Sequence, residues 1–456
     1  MALSKFESML KTNSVYFFDL VEFEEIILYY LDAGKHSLAK KAIKLGLEQH
    51  PTSVNLKLLW TELLIIEDKL EKASTIIAKL EKIEPNNDEV LIQKATILSK
   101  TGAHKIAITH LKRALKYTED KVDVWTLLGM EYLYIDDFEN ARANFVNCID
   151  VDFEDYSALY NVIYCFDMEK QHKKAIKFLI SYIDTNPYCE VAWHQLGRQY
   201  YVLEDYKKAL RAFDFSVLID EFFIGGYLEK AKTLEKLKCY QEAIDNYCIT
   251  LDLDDPTAYA FIRIGECYEK LGKIDLAIHH YKKAVHEDPL LDKGWVLLTN
   301  LYYQQENYQK ALYYINKALK IDEDNNLYWR KYTDINLKLN FFEEAAKGLQ
   351  TCLSLKDFEM EVYVGLADIQ LFLGDFNDAL KILIEAQKTF KNFAEIEYRL
   401  AGLFFILDKE KFGNNHLIAG MKVDYDYHKI IEELFPTVFD KVKVKKLLKD
   451  FKKATE

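Results

Sequence analysis

Histidines at regular distance are the first residues whose type and spacing suggest chemistry. His36, His104 and His172 stand 68 residues apart, and three imidazoles brought together by a fold would make a metal site. His279, His280 and His286 crowd a second place. Asp136 and Asp137, and again Asp254 and Asp255, are adjacent carboxylates of the kind used in acid–base work. Cys148, Cys165, Cys189, Cys239, Cys248, Cys267 and Cys352 add nucleophile or ligand candidates. None of these sets carries the pattern its chemistry needs. The cysteines are odd in number and lack C-x-x-C spacing, which points to reduced thiols rather than a disulfide framework or a zinc site. The histidines lack H-E-x-x-H, and neither a phosphate-binding G-x-x-x-x-G-K-[ST] loop nor a G-x-S-x-G nucleophile turn occurs. No catalytic residue, no metal and no cofactor is therefore expected.

The spacing of the first three histidines is twice a shorter interval that runs through nearly the whole chain. Ala39, Ala73, Ala107, Ala141, Ala175, Ala209, Ala243, Ala277, Ala311, Ala345 and Ala379 recur every 34 residues, and Gly413 takes the next place. With that alanine set at slot 20 of a 34-residue unit, all three histidines fall at slot 17. Other units carry Phe138, Tyr206, Tyr240, Tyr308 or Phe342 there, so the histidines read as aromatic-sized packing residues. The acidic pairs fall in inter-helix turns, where Asp serves as a cap or turn former.

Apolar residues at slots 4, 7, 8 and 11, then at 17, 20, 24 and 27, fit two amphipathic helices per unit. Slot 8 is small in many units, as in Gly129, Gly197 and Gly265. Slot 24 is bulky throughout, as in Phe145, Phe213 and Tyr281. Backbones approach closely where slots 8 and 20 are small, and slot 24 fills the adjoining gap. Turn residues gather near slots 15 and 16 (Gly34, Gly102, Asp136, Gly272, Gly374), and Pro51, Pro85, Pro187, Pro256 and Pro289 mark the second break. Each unit is expected to be a helical hairpin.

The pattern resembles the tetratricopeptide repeat family. Trp125, Leu128, Gly129, Tyr132, Phe138, Ala141 and Phe145 match it in one unit; Trp193, Leu196, Gly197, Tyr200, Tyr206, Ala209 and Phe213 match it in another. Gly265, Tyr268, Ala277, Tyr281, Ala284 and Pro289 supply the end of a third. The resemblance covers about residues 20–426 as twelve units. It implies an all-α fold, a right-handed α-solenoid superhelix of antiparallel hairpins. Residues 1–19 are expected to be an N-terminal capping segment with a short helix from Leu3 to Leu10. Residues 427–456 are expected to be C-terminal capping helices on either side of Pro436, laying Phe435, Val438, Phe439, Val442, Leu447, Leu448 and Phe451 over the last hairpin.

In proteins of this resemblance the first helix of each hairpin lines a concave groove through slots 2, 5, 9, 12 and 13. Those slots hold an apolar set in the first three units (Leu28, Leu31, Leu58, Ile65, Ile66, Ile92). In units four to six they hold Met130, Leu133, Tyr134, Tyr160, Tyr164, Asp167, Met168, His194, Arg198 and Tyr201. Tyr, Met and Arg suit interface centres because they bury large area while keeping a polar or adaptable end. The expected groove site is Met130, Leu133, Tyr134, Tyr160, Tyr164, Met168, His194, Arg198 and Tyr201, taking an extended peptide or a partner helix. Units seven to eleven offer mixed charges, including Glu235, Glu266, Lys293 and Arg330, which read as a solvated wall. The Lys and Asn clamp for chaperone C-termini known in this family is absent: Asn161 stands alone, with Thr126, Met130, Val191 and Gln195 where clamp residues belong.

Formal charge is −13, against a general nucleic-acid binder, which needs a concentrated basic surface. Seven lysines between residues 440 and 456 make a basic end. It reads as a cap or, alternatively, as an amphipathic helix touching an anionic membrane surface. No stretch approaches ~20 apolar residues, and the first residues do not form a signal peptide, so a cytoplasmic place is expected. The reading is a non-enzymatic scaffold or adaptor for a protein or peptide partner. The alternatives are a membrane-peripheral assembly or secretion accessory factor, and a peptide-responsive regulator. Oligomeric state is not legible.

Overall fold

A computed structural model describes residues 2–12, 16–253 and 257–455. Asp254, Asp255 and Pro256, singled out above as turn residues, lie outside the described residues. Among the described residues the regular structure is helical: twenty-eight α-helices and one 3-10 turn, with no strand. From Leu20–Asp32 with His36–Gln49 to Ala394–Ile406 with Glu410–Val423, consecutive helices pair into twelve hairpins, an α-solenoid. The chain forms two compact units, residues 1–233 and 234–456.

The turn inside each hairpin has one construction. Slot 15 takes a left-handed backbone every time: at Gly34, Gly102, Gly272 and Gly374, and equally at Asp68, Asp136, Lys170, Glu204, Lys238, Glu306, Asn340 and Asp408. The next residue donates its N–H five residues back, as Lys35 does to the Tyr30 carbonyl at 2.8 Å and Gln171 to that of Phe166 at 2.8 Å. This is the helix-ending pattern that satisfies carbonyls the helix leaves unpaired. At three hairpins slot 16 then caps the second helix: Asp137 accepts from the N–H of Asn140, Asp205 from that of Lys208, and Asn307 from that of Lys310. The other break is held by slot-4 tryptophans. The indole N–H of Trp193 donates to the Pro187 carbonyl at 2.9 Å, and that of Trp295 to Pro289 at 2.9 Å.

Packing follows the small-against-large pattern. All eleven slot-20 alanines are fully buried. A Cβ placed on Gly197 would lie 2.5 Å from Cε1 of Phe213, and the same aromatic-over-glycine contact joins Gly129 to Phe145 and Gly265 to Tyr281.

Both ends carry extra helices. Helix Ala2–Thr12 buries Phe6 and Met9 beside Phe18, Phe23 and Tyr30 of the first hairpin. At the other end Pro436 stands at the break after helix Lys429–Leu434. It opens the short helix Pro436–Phe439, where a missing N–H costs nothing, and the chain turns again before Val442–Thr455. Phe435 covers Gly402, and Val444 and Leu448 reach the last core. Val442, expected in this cap, is 81% exposed instead. As the first residue of its helix it lies off the face that Val444, Leu448 and half-buried Phe451 present to the array.

Candidate functional site

The expected site falls on three first helices of the unit formed by residues 1–233: Lys121–Tyr134, Tyr156–Met168 and Glu190–Val202. On the middle one Tyr160, Tyr164 and Met168 follow at four-residue steps and form one stripe. They are 42, 47 and 49% exposed, and Tyr134 on the preceding first helix is 59% exposed. Arg198 is exposed, whereas Met130, Leu133 and Tyr201 are half-buried. Four apolar or aromatic side chains thus stand in water on helices whose remaining apolar residues, such as Leu159, Val162 and Ile163, are buried.

His194 does not share that position. It is 9% exposed, its ring 5.1 Å from Phe223 and 5.7 Å from Phe213. The next hairpin begins beside the imidazole: a Cβ on Gly225 would lie 3.8 Å from His194 Nε2. Burial, with Arg198 beside it, pushes the His194 pKa down to about 4. His194 is a neutral core residue at pH 7 rather than a groove residue.

Polar side chains behind the stripe fix its helices to one another. His104 Nδ1 lies 3.0 Å from Glu131 Oε2, and the His104 ring stacks on Tyr134 at 4.8 Å. One repeat pair further on, His172 Nδ1 lies 3.0 Å from Gln199 Oε1, while Gln199 Nε2 donates to Asp167 at 2.9 Å. The histidines therefore hold the ends of second helices to the following first helices. Among the described residues no group of three or more His, Cys, Asp or Glu side chains is arranged to hold a metal ion. Gln195, named above only as a missing clamp position, and Gln199, not singled out, are both 1% exposed. Their signal was a polar residue at slots 6 and 10, the latter held by Leu63, Ile97 or Leu301 in other units.

The guanidinium of Arg198 makes one long bond, to Gln195 Oε1 at 3.3 Å, and among the described residues has no carboxylate within 4.0 Å. In the unit formed by residues 234–456 the corresponding charges are spent on each other. Arg263 bridges Glu235 and Glu266, Lys293 joins Glu266 at 2.8 Å, and Arg330 grips Asp357 through two bonds of 2.7 and 2.6 Å. Arg399 holds Asp368 the same way. On the first three hairpins a pocket of about 490 Å³ opens between Leu28, Leu58 and Leu59, rimmed by Glu62 and Glu89. Burial raises the Glu62 carboxyl pKa. Leu58 and Ile65 of the apolar set expected there are buried, and Leu28 and Ile66 are exposed.

Comparison with known proteins agrees with the repeat. The tetratricopeptide repeat family matches at residues 122–155, 258–289 and 293–325. Anaphase-promoting complex subunit 3 of Schizosaccharomyces pombe is 24% identical over 194 residues, 42% of this chain and 29% of that protein. Protein bimA of Emericella nidulans is 26% identical over 98 residues, 22% of this chain, and the match spans 12% of its length. The chain therefore covers well under two thirds of these relatives. TPR repeat-containing protein MJ1428 of Methanocaldococcus jannaschii is 22% identical over 395 residues, 78% of this chain and 68% of that protein. Among solved structures, the Cut9-Hcn1 hetero-tetramer of the APC/C aligns over 88% of this chain and 92% of its own at 14% identity with a TM-score of 0.33. The chain is a tetratricopeptide repeat protein, and repeats of this family generally mediate protein–protein interaction. No described helix is long and apolar enough to cross a membrane.

Proposed function

We propose that this chain is a non-enzymatic scaffold that binds a peptide or helical segment of a partner protein across the first helices of hairpins four to six. The observation that carries the reading is the stripe Tyr160, Tyr164 and Met168, extended by Tyr134 and Arg198. These side chains are exposed, the repeat does not need them for packing, and they belong to types that dominate interface energetics. Part-buried hydrogen bonds at His104 and His172 hold the helices beneath them, so little order is lost on binding. The basic C-terminal helix supports the membrane alternative less well, because its apolar residues Val444 and Leu448 are used inside.

The test replaces Tyr160, Tyr164 and Arg198 together by Ala and compares partner recovery with the unaltered chain by affinity purification from the native source. The reading expects recovery to fall by about tenfold or more at unchanged helicity, as loss of interface anchors does. Equal recovery at unchanged helicity removes this face from the account.

A further inference from the structure

A second recess lies outside the groove. Helices His172–Thr185, Glu190–Val202 and Tyr206–Ile219 enclose a pocket of about 290 Å³, and none of the groove residues lines it. Its walls are Trp193 and Phe215, stacked at 4.5 Å, with Ile180 and Ile183. That volume lies at the lower end for small-molecule sites, about 300 Å³, and suits one large side chain.

Packing does not explain Phe215. The other hairpins with a slot-4 tryptophan place Asn147, Lys317 and Thr351 at the same slot, so the hairpin closes without an aromatic there. Yet Phe215 stands 46% exposed, and Leu218, three residues on along the same helix face, is 78% exposed.

The rim carries charge. Lys208 is taken up by Asp205 at 2.8 Å. Arg211 is not taken up. Of the seven arginines in the chain, Arg113, Arg142, Arg263, Arg330 and Arg399 each hold a carboxylate. Among the described residues only Arg198 and Arg211 do not. An unneutralised guanidinium beside an apolar pocket, in a chain of net charge −13, is complementary to a carboxylate carried next to an apolar group. Asp184 also lies on the rim, and no side chain is paired with its carboxylate among the described residues.

We infer that this pocket is a second anchor site, taking an aliphatic or aromatic side chain of a partner segment that carries Asp or Glu within two residues of it. The site is independent of the groove. It gives the chain two attachment points, which raises affinity when both are engaged by one partner.

The experiment selects a displayed random library of twelve-residue peptides on the full chain. Enriched peptides are then measured against Phe215→Asn, which installs the residue hairpin four already holds, and against Arg211→Glu. The expected result is peptides with Leu, Ile, Phe or Trp near Asp or Glu, whose binding falls about tenfold or more in both variants and is unchanged by the triple alanine variant of the groove. Enriched peptides without an acid, or binding indifferent to Arg211→Glu while the variant keeps its melting curve, overturn the inference. So does a concentration-dependent dimer of the chain that Phe215→Asn abolishes, which assigns the pocket to a second copy.

Discussion

His104 and Glu131, 27 residues apart, meet at 3.0 Å where a second helix joins the following first helix. His172 and Gln199 repeat the pairing at the same separation. Both acceptors are buried, at a slot that six of the other hairpins fill with Leu or Ile. Each hydrogen bond therefore replaces an apolar contact and ties neighbouring hairpins beneath the exposed tyrosines. Glu131→Ala is expected to cost about 1–3 kcal/mol, because it leaves a polar imidazole without its partner. The double change His104→Phe with Glu131→Leu, the residue types found at these slots elsewhere, is expected to recover most of that loss. Urea melts of the singles and the double give the coupling directly; additive losses would refute the pairing.

Hairpin closure rests on small residues under large ones. Gly197→Ala brings a Cβ to 2.5 Å from the Phe213 ring, and Ala209→Leu overfills a fully buried slot. Each is expected to lower stability by about 1–3 kcal/mol, with Phe213→Leu partly rescuing Gly197→Ala. The check is the denaturant midpoint of each variant.

The left-handed turn residue has a measurable cost wherever it is not glycine. Lys170 has φ of 56°, a backbone that L-residues adopt at about 1–2 kcal/mol. Lys170→Gly removes that strain at some cost in unfolded-state freedom, and a net gain of roughly 0.5–1 kcal/mol is expected in a melt. A loss would mean that the Lys170 side chain contributes more than the turn does.

The repeat was legible because its slots constrain size: a buried column of alanines leaves its period in the sequence. The turns were legible where slots 15 and 16 hold Gly, Asp or Asn, as at Gly34 and Asp136. Lys170, Glu204 and Lys238 carry no preference for a left-handed backbone and are held there by the hydrogen bonds of the turn. The site was legible in part. Tyr160, Tyr164, Met168 and Arg198 stand open as their slots imply, but whether a slot faces water also depends on the next hairpin. His194 lies against Phe223 at the start of the next hairpin, which no pattern within its own helix records. Phe215 was not singled out in the sequence, and it took the pocket beside it to bring it out.

That buried histidine predicts a response to acid. In the folded chain its pKa is about 4, against about 6.5 unfolded. The unfolded chain therefore binds the extra proton first. The contribution of neutral His194 to stability is complete above pH 6.5 and is lost as pH falls toward 4. Denaturant midpoints are expected to drop between pH 7 and pH 5, and His194→Phe, which fits among Phe213 and Phe223, is expected to reduce that drop. The same drop in the variant would place the acid sensitivity elsewhere, His280 being the other imidazole pushed to about 4.

The most direct test of partner binding on the first helices is hydrogen exchange of the full chain with and without its affinity-purified partner. The account predicts new protection confined to residues 121–134, 156–168 and 190–202, strongest around Tyr160 and Tyr164. Protection that spares these helices while appearing elsewhere in the array would contradict it.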